Sequence, residues 1–307
     1  MRIVVALGGN ALLRRGEAPE ADALRGNVAV AADAVAGLAD GNEIVVTHGN
    51  GPQIGLLALQ AEAYDGVAPY PLDILGAESE GMIGYLIDRA LRSRLKDRHV
   101  ATLLTQVEVD PGDPAFAHPT KPIGPIYDEP TARRIAAERG WTVAPDGDSF
   151  RRVVPSPTPV RILEIDTIRL LLDAGVLTVC AGGGGISVAL SPEGAVRGVE
   201  AVIDKDRAAA LLGREIAAEA LLLLTDVDGV YADWGTNAAR RIVAGAPDEL
   251  RAIWFDPGSM GPKVEAACDF VDATGGFAAI GALDQAAALL ACAAGTRVAP
   301  DEPLRIA

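Results

Sequence analysis

The stretch that decides the fold is Ile3-Val-Val-Ala-Leu-Gly-Gly-Asn10. Its five-residue apolar run is too short for a helix and has no polar alternation, as expected of a strand buried on both faces. The glycines and the asparagine then break it into a tight loop. The same figure recurs along the chain. Glu43–Thr47 runs into His48-Gly-Asn-Gly-Pro-Gln53, Val176–Cys180 into Gly182-Gly-Gly-Gly185, and Ala220–Leu224 into Thr225-Asp-Val-Asp-Gly-Val-Tyr231. Further strands are expected at Val100–Val107, Val199–Ile203, Phe277–Ile280 and Thr296–Val298.

Helical segments alternate with these strands. They are expected at Ala21–Ala39, from Pro52 to about Ala63, at Glu78–Lys96, Ile162–Ala174, from an Asp204 cap to about Leu212, from Lys263 to about Val271, and from about Asp284. Pro52 suits a first helical turn, and Asp204 suits an N-cap. Apolar strands alternating with helices predict an α/β fold, a three-layer αβα sandwich around a mainly parallel central sheet. Ligands of such sheets bind beyond the carboxyl ends of the strands, where the Gly/Asn/Asp loops lie.

One segment breaks this rhythm. Asp110 to Pro159 is dense in proline, interleaved with Gly, Asp and Arg. It is too long for an ordinary connection and reads as a small inserted lid subdomain with a short helix at about Thr131–Arg139.

Composition narrows the function. The chain has 307 residues, half of them apolar, and a net charge of -15. Such a surface repels a nucleic-acid backbone. The longest uncharged stretch, Ala174–Pro192, carries five glycines and a proline, so it is no membrane span, and the N-terminus lacks a signal-peptide pattern. A soluble cytoplasmic protein is expected. Cys180, Cys268 and Cys292 are far apart and read as buried free thiols. Neither they nor His48, His99 and His118 have the spacing of a zinc site.

The cations are uneven. Of 27 basic residues only Lys96, Lys121, Lys205 and Lys263 are lysines, leaving 23 arginines. Arginine is the default surface cation here, so each lysine is worth locating. None stands in a Gly-Lys-Ser/Thr phosphate loop. The Gly182–Gly185 run has Ser187 where a dinucleotide fingerprint needs its third glycine, and Gly49-x-Gly51 reaches its next glycine one residue late, at Gly55. The Gly-x-Ser-x-Gly elbow of a hydrolase is absent too.

The remaining segments together resemble the carbamate kinases of the amino-acid kinase family. The likeness lies in Val5–Leu12, His48–Gln53, Ala77-Glu-Ser-Glu-Gly-Met-Ile-Gly-Tyr85, Thr105–Val107, Asp113–Phe116, Pro119-Thr-Lys-Pro-Ile-Gly-Pro125 and Arg151–Pro157. It continues through Gly182–Ile186, Gly198–Asp206, Leu224–Tyr231 and Gly258-Ser-Met-Gly-Pro-Lys-Val-Glu-Ala266. It spans about residues 3–285. The chain departs from the family's common pattern at Ser187, usually proline, and at Glu80, usually glutamine.

The resemblance implies reversible phosphoryl transfer between ATP and carbamate, giving ADP and carbamoyl phosphate. Carbamate is already an ionised nucleophile, so no histidine dyad or nucleophilic serine is needed. Charge stabilisation by ammonium groups and by Mg²⁺ held mainly by ATP or ADP would suffice. Lys205 would meet the transferring phosphoryl group with Asp206 orienting it, Lys263 the nucleotide phosphates, and Lys121 the carbamoyl phosphate from the lid. Gly8, Gly9, Asn10, Gly49, Asn50 and Gly51 would bind the carbamate side. Gly182, Gly183, Gly184, Gly185, Thr225, Asp226, Asp228, Gly229, Tyr231 and Met260 would bind the nucleotide, with the four-glycine run open to close approach of either substrate or nucleotide phosphate.

Residues 1–212, with the lid at about 110–159, would form the carbamate part and 213–307 the nucleotide part. A homodimer with no nucleic-acid or membrane partner is implied. Arg151 and Arg152 could steer anions into the lid. Each residue also has a plainer reading: turn chemistry for the glycines and Asn50, capping for Asp226 and Asp228, a packed structural residue for His48, and surface ion pairing for Arg151 and Arg152. Two alternative functions stay open: another amino-acid kinase, acting on acetylglutamate, glutamate or a nucleoside monophosphate, and a non-catalytic metabolite-binding regulator.

Overall fold

The run that opens the chain becomes a central strand. In a computed structural model describing residues 1–14, 16–64 and 66–307, Arg2–Leu7 pairs in parallel with Ala220–Thr225 on one side and Glu43–His48 on the other. The ten-stranded sheet runs Val230–Ala232, Arg240–Gly245, Thr296–Val298, Phe277–Ala282, Ala220–Thr225, Arg2–Leu7, Glu43–His48, Leu177–Val179, Val100–Thr102, with Arg305–Ile306 beside Arg240–Gly245. The six strands from Phe277–Ala282 to Val100–Thr102 are all parallel. The short Thr296–Val298 runs antiparallel to Phe277–Ala282 and turns the sheet mixed at that flank.

Strand alternation divides the core. Ile3, Val5 and Leu7 face the helices Ala21–Ala36 and Leu72–Arg94, packing on Val28, Val35, Ile83 and Ile87. Val4 and Ala6 face the other way, toward the helices Lys205–Glu215 and Met260–Thr274, with Leu212 and Phe270. Successive side chains point to opposite faces, so an unbroken apolar run is what a strand buried on both sides requires. This is the expected three-layer sandwich. At roughly 25 cal/mol per Å² of apolar surface, these two layers supply most of its stability.

The proline-rich insertion is more ordered than its composition suggests. It holds a three-stranded antiparallel sheet, Lys121–Tyr127, Ser149–Val154 and Thr142–Asp146, and a helix at Glu129–Arg139. Asp128 caps that helix by accepting from the Thr131 N–H at 2.8 Å, and Gly140 ends it at φ +66°. The insertion meets the body on the helix Gly51–Glu62. A Cβ on Gly55 would lie 1.9 Å from the Gly124 Cα, so the two backbones touch where only glycine fits.

Several expectations change. The span Val100–Val107 is two strands: Val100–Thr102 stays in the main sheet, and Gln106–Val109 joins a separate sheet with Ile186–Leu190, Val196–Gly198 and Pro159–Ile162. Val199–Ile203 is not a strand. Its amides scatter, Val199 to Ser187 O, Ala201 to Val199 O and Val202 to Pro155 O, so no ladder forms. The helix after Asp204 runs to Glu215, which puts residue 212 inside it, and the helix expected from Glu78 starts at Leu72. Cys180 and Cys268 are buried free thiols, whereas Cys292 is free but exposed. Among the described residues no helix is long and apolar enough to cross a membrane.

Candidate active site

Four neighbouring parallel strands end in the Gly/Asn/Asp loops. Ala220–Thr225, Arg2–Leu7, Glu43–His48 and Leu177–Val179 lie side by side, so Asp226, Gly8, Gly49 and Gly182 follow from one edge of the sheet.

The middle of this edge admits no side chains. The Gly8 N–H donates to Leu224 O at 2.9 Å, and a Cβ on Gly8 would lie 2.9 Å from the same oxygen. A Cβ on Gly49 would lie 2.9 Å from the Gly9 N and 3.1 Å from the Lys205 Cδ. Asn50 is buried at the N-cap of Gly51–Glu62, and its amide donates to Ser79 Oγ at 2.8 Å. Gly9 and Asn10 open the short helix Gly9–Leu12; the Asn10 side chain lies outside the described residues.

The Gly182–Gly185 turn sits here as well. A Cβ on Gly182 would lie 2.2 Å from His48 Nε2, and one on Gly183 2.0 Å from Asn50 Nδ2. Gly183, Gly184 and Gly185 all have positive φ. The turn is expected beside the nucleotide segments, but two strands separate it from Thr225–Tyr231, and it gathers with His48 and Asn50 instead. His48 is fully buried. Its Nδ1 lies 3.1 Å from Gly49 O and must donate to it, and burial pushes the imidazole down to about 4, so the ring is neutral.

Three of the four lysines converge beside these loops. Asp204 caps the helix Lys205–Glu215, its Oδ1 accepting from the N–H groups of Asp206 at 2.9 Å and Arg207 at 3.3 Å. Its other oxygen pairs with Lys121, which reaches in from the inserted subdomain. The Lys205 ammonium donates to both oxygens of Asp206 at 2.8 Å, and Lys263 donates to Asp206 Oδ2 at 2.9 Å. Lys96 stands apart and exposed after the helix Leu72–Arg94.

The cluster sets its own protonation. Burial works to raise both carboxyls, but Lys121 and Lys205 hold Asp204 well below the usual carboxylate range, and Lys205 and Lys263 hold Asp206 below it. Burial works against charge on Lys205, yet Asp206 and Asp204 keep its pKa above the ordinary value. Burial and the neighbouring Lys205 push Lys263 down to about 8. The result is three ammonium groups against two carboxylates, a local positive excess on a chain of net charge -15.

The remaining candidates flank this cluster on the far side of Arg2–Leu7. Thr225 Oγ1 donates to Asp226 Oδ1 at 3.0 Å, and the Tyr231 hydroxyl to Asp228 Oδ1 at 3.1 Å. Asp226 and Asp228 are exposed, and Tyr231 is half-buried against Trp234, with ring centroids 5.2 Å apart. Gly229 packs beside Thr296, and Met260 opens the helix that carries Lys263.

Arg151 and Arg152 do not reach the cluster. Arg151 donates to the Gly124 carbonyl, and the Arg152 guanidinium lies 4.2 Å above the Trp141 ring, so both serve the inserted subdomain. Asp256 is a residue that sequence reasoning passes over. Its carboxylate accepts from the Gly258 N–H and the Ser259 hydroxyl, both at 2.9 Å, and its carbonyl from the Gly261 N–H at 2.8 Å, which shapes the turn before Lys263. The Asp-Pro-Gly-Ser sequence at 256–259 is the signal that marks it.

A cluster of ammonium groups beside backbone-lined anion loops is suited to handling phosphoryl groups. Comparison with known proteins agrees. Residues 1–276 match the model of the amino acid kinase family. The chain is 50% identical over 299 residues to the carbamate kinase of Haemophilus influenzae, covering 97% of this chain and 96% of that one. Among solved structures it is similar to the carbamate kinase from Giardia lamblia bound to citric acid, with a TM-score of 0.91 and 38% identity over 98% of each chain. It is also similar to the same kinase bound to AMP-PNP, with a TM-score of 0.88 and 38% identity over 98% of each chain. The chain belongs to the amino acid kinase family and, within it, to the carbamate kinases.

Proposed function

We propose that this phosphotransferase moves a phosphoryl group reversibly between ATP and carbamate, and that Lys121, Lys205 and Lys263 are the groups that carry the reaction. The observation behind this reading is their convergence on Asp204 and Asp206, in a chain whose other cations are arginines but for Lys96.

In the synthetic direction a carbamate oxygen attacks the γ-phosphorus, a new O–P bond forms, and the bond to the ADP oxygen breaks. Carbamate enters as an anion, so no proton need be removed. The task left to the protein is to align two anions and to neutralise the charge spread over the transferred oxygens. Lys205, held at both Asp206 oxygens, is aimed at the phosphoryl group in flight. Lys263 shares that carboxylate and binds the nucleotide phosphates. Lys121 closes from the inserted subdomain onto carbamoyl phosphate, leaving Asp204 as it does so. The loops at Gly8–Asn10, Gly49–Gly51 and Gly182–Gly185 take the carbamate side, and Thr225–Tyr231 with Met260 the nucleotide.

The donor set is consistent with Mg²⁺ arriving on the nucleotide. Among the described residues no three His, Cys, Asp or Glu side chains converge as a cage, and both central carboxylates already face lysines. When bound with the nucleotide, the ion would neutralise phosphate charge.

The same reading places the enzyme in the cytoplasm and makes it a homodimer. The helix Leu72–Arg94 exposes Ile74, Met82 and Tyr85 on one face, beside an exposed Leu104, which is an apolar strip suited to a second copy. The test of function is ATP formation from carbamoyl phosphate and Mg-ADP, read by a coupled assay. Phosphorylation of a larger acid or of UMP, with none of carbamate, would replace this reading.

A further inference from the structure

Beneath the Gly182–Gly185 turn lies a charged group that phosphoryl transfer does not use. Glu80, in the middle of the helix Leu72–Arg94, is 1% exposed. Among the described residues no cation pairs with it. The charged group acting on it most is another carboxylate, Glu164, and the buried Cys180 thiol faces it from the end of the strand before the turn.

A buried carboxylate without a cation is costly unless hydrogen bonds replace its water. Two backbone donors do so here. The Gly182 N–H donates to Oε1 at 2.9 Å and the Thr105 N–H to Oε2 at 3.1 Å. These donors lie in different segments. Gly182 follows Leu177–Val179, and Thr105 stands where the chain leaves the main sheet for the second one. The Thr105 hydroxyl closes the figure by accepting from the Ala181 N–H at 2.9 Å. One helical turn thus holds both anion loops, because the neighbouring Ser79 accepts from the Asn50 amide.

We propose that Glu80 is a positioning residue for the phosphoryl-transfer site, holding the Gly182–Gly185 turn against Asn50 through the Gly182 and Thr105 amides. This rests on the function proposed above, and it deepens that reading by assigning the turn to carbamoyl phosphate. Both glutamate oxygens accept here, whereas a glutamine, the residue usual at this place in the family, keeps one acceptor oxygen and so one of the two contacts. Burial pushes the Glu80 carboxyl up to about 8, so near neutral pH it is largely the neutral acid, whose two oxygens still accept from the backbone.

The test uses the full-length chain with Glu80→Gln and Glu80→Met. Methionine keeps the volume and removes both acceptors, leaving the Gly182 and Thr105 N–H groups without this partner, so some loss of stability is expected. In Glu80→Met we expect amide hydrogen exchange across residues 180–186 to speed up by about tenfold or more, beyond any change in the strand Arg2–Leu7, with Glu80→Gln between it and the wild type. In Glu80→Met the KM for carbamoyl phosphate is expected to rise about tenfold, with that for ADP within about twofold.

Wild-type exchange at 180–186 would overturn the proposal. So would equal rises in both KM values, or a fall in the unfolding midpoint with both KM values unchanged, since that pattern belongs to a purely structural residue. Should the wild-type chain make no ATP from carbamoyl phosphate, the function falls, and the exchange experiment still decides whether Glu80 holds the turn.

Discussion

The two halves of the site's edge are built in opposite ways. On the side proposed for carbamate, Gly8, Gly49, Gly182 and Gly183 press against other backbone or against buried His48 and Asn50, where a single methyl group would collide. On the side proposed for the nucleotide, the loop Thr225–Tyr231 exposes Asp226 and Asp228 and is joined by side-chain contacts. A small rigid anion is recognised by backbone N–H groups that must approach closely, so shape is enforced by glycine. A large ligand can be held from many places, and no single contact there is indispensable. The lysine cluster stands between the two and should be the least tolerant part of all.

Breaking the centre should have the largest effect. Lys205→Ala is expected to lower turnover by about a thousandfold while the fold persists by circular dichroism. Lys205→Arg should recover no more than about a tenth, because a planar guanidinium cannot replace a compact ammonium seated on both Asp206 oxygens. Turnover near wild type in Lys205→Ala would remove that residue from the mechanism.

The carbamate side comes next. Gly183→Ala meets both the Asn50 amide and a φ of +69°. It should cost about 2 kcal/mol of stability in urea unfolding and raise the KM for carbamoyl phosphate more than that for ADP. An equal effect on both substrates would blur the contrast between the two halves.

A pH profile tests the junction. Lys263 is pushed down to about 8 by burial and by Lys205, so its charged form, the one proposed to bind phosphate, is lost as pH rises through that value. The kcat/KM for ADP should therefore fall above about pH 8, toward tenfold per pH unit, since this quantity reports the free enzyme. Bound phosphates favour the charged lysine, so the limb in kcat should lie higher. Lys263→Arg should show no limb near pH 8 in whatever activity remains.

The smallest effect belongs to the exposed half. Asp228 bonds Tyr231 and lies 3.8 Å from Arg241, both near the surface. Asp228→Asn should change the KM for ADP by less than about threefold and stability by under about 0.5 kcal/mol. A tenfold change would mean that this loop is as exacting as the glycine side.

Much of this arrangement is legible in the order of residues alone. Runs such as Ile3–Leu7 declare a strand buried on both faces, and an abrupt Gly-Gly-Asn declares the loop that follows. The lysines stand out because arginine takes every other cationic position. Strands that carry little burial stay hidden. Lys121–Tyr127 and Thr142–Asp146 are rich in proline or half-exposed, so neither period nor hydropathy marks them. Arg240–Gly245 opens with two arginines that mask its apolar end. The break at Leu103–Thr105 has no local signal, and the Thr105 N–H there finds its acceptor in Glu80, 25 residues earlier in the chain. The place of Gly182–Gly185 beside Asn50 depends on strand order, which no local pattern contains.

The scarcity of lysine has a practical side. Amine-reactive reagents find few targets on this protein, and Lys263, with its ammonium pushed down to about 8 and its side chain 15% exposed, is partly nucleophilic near neutral pH. Acylation followed by peptide mapping can therefore use the chain's own composition as a site-directed label. Protection of Lys263 by ADP, with Lys96 as the internal reference, would report nucleotide occupancy without any engineered probe.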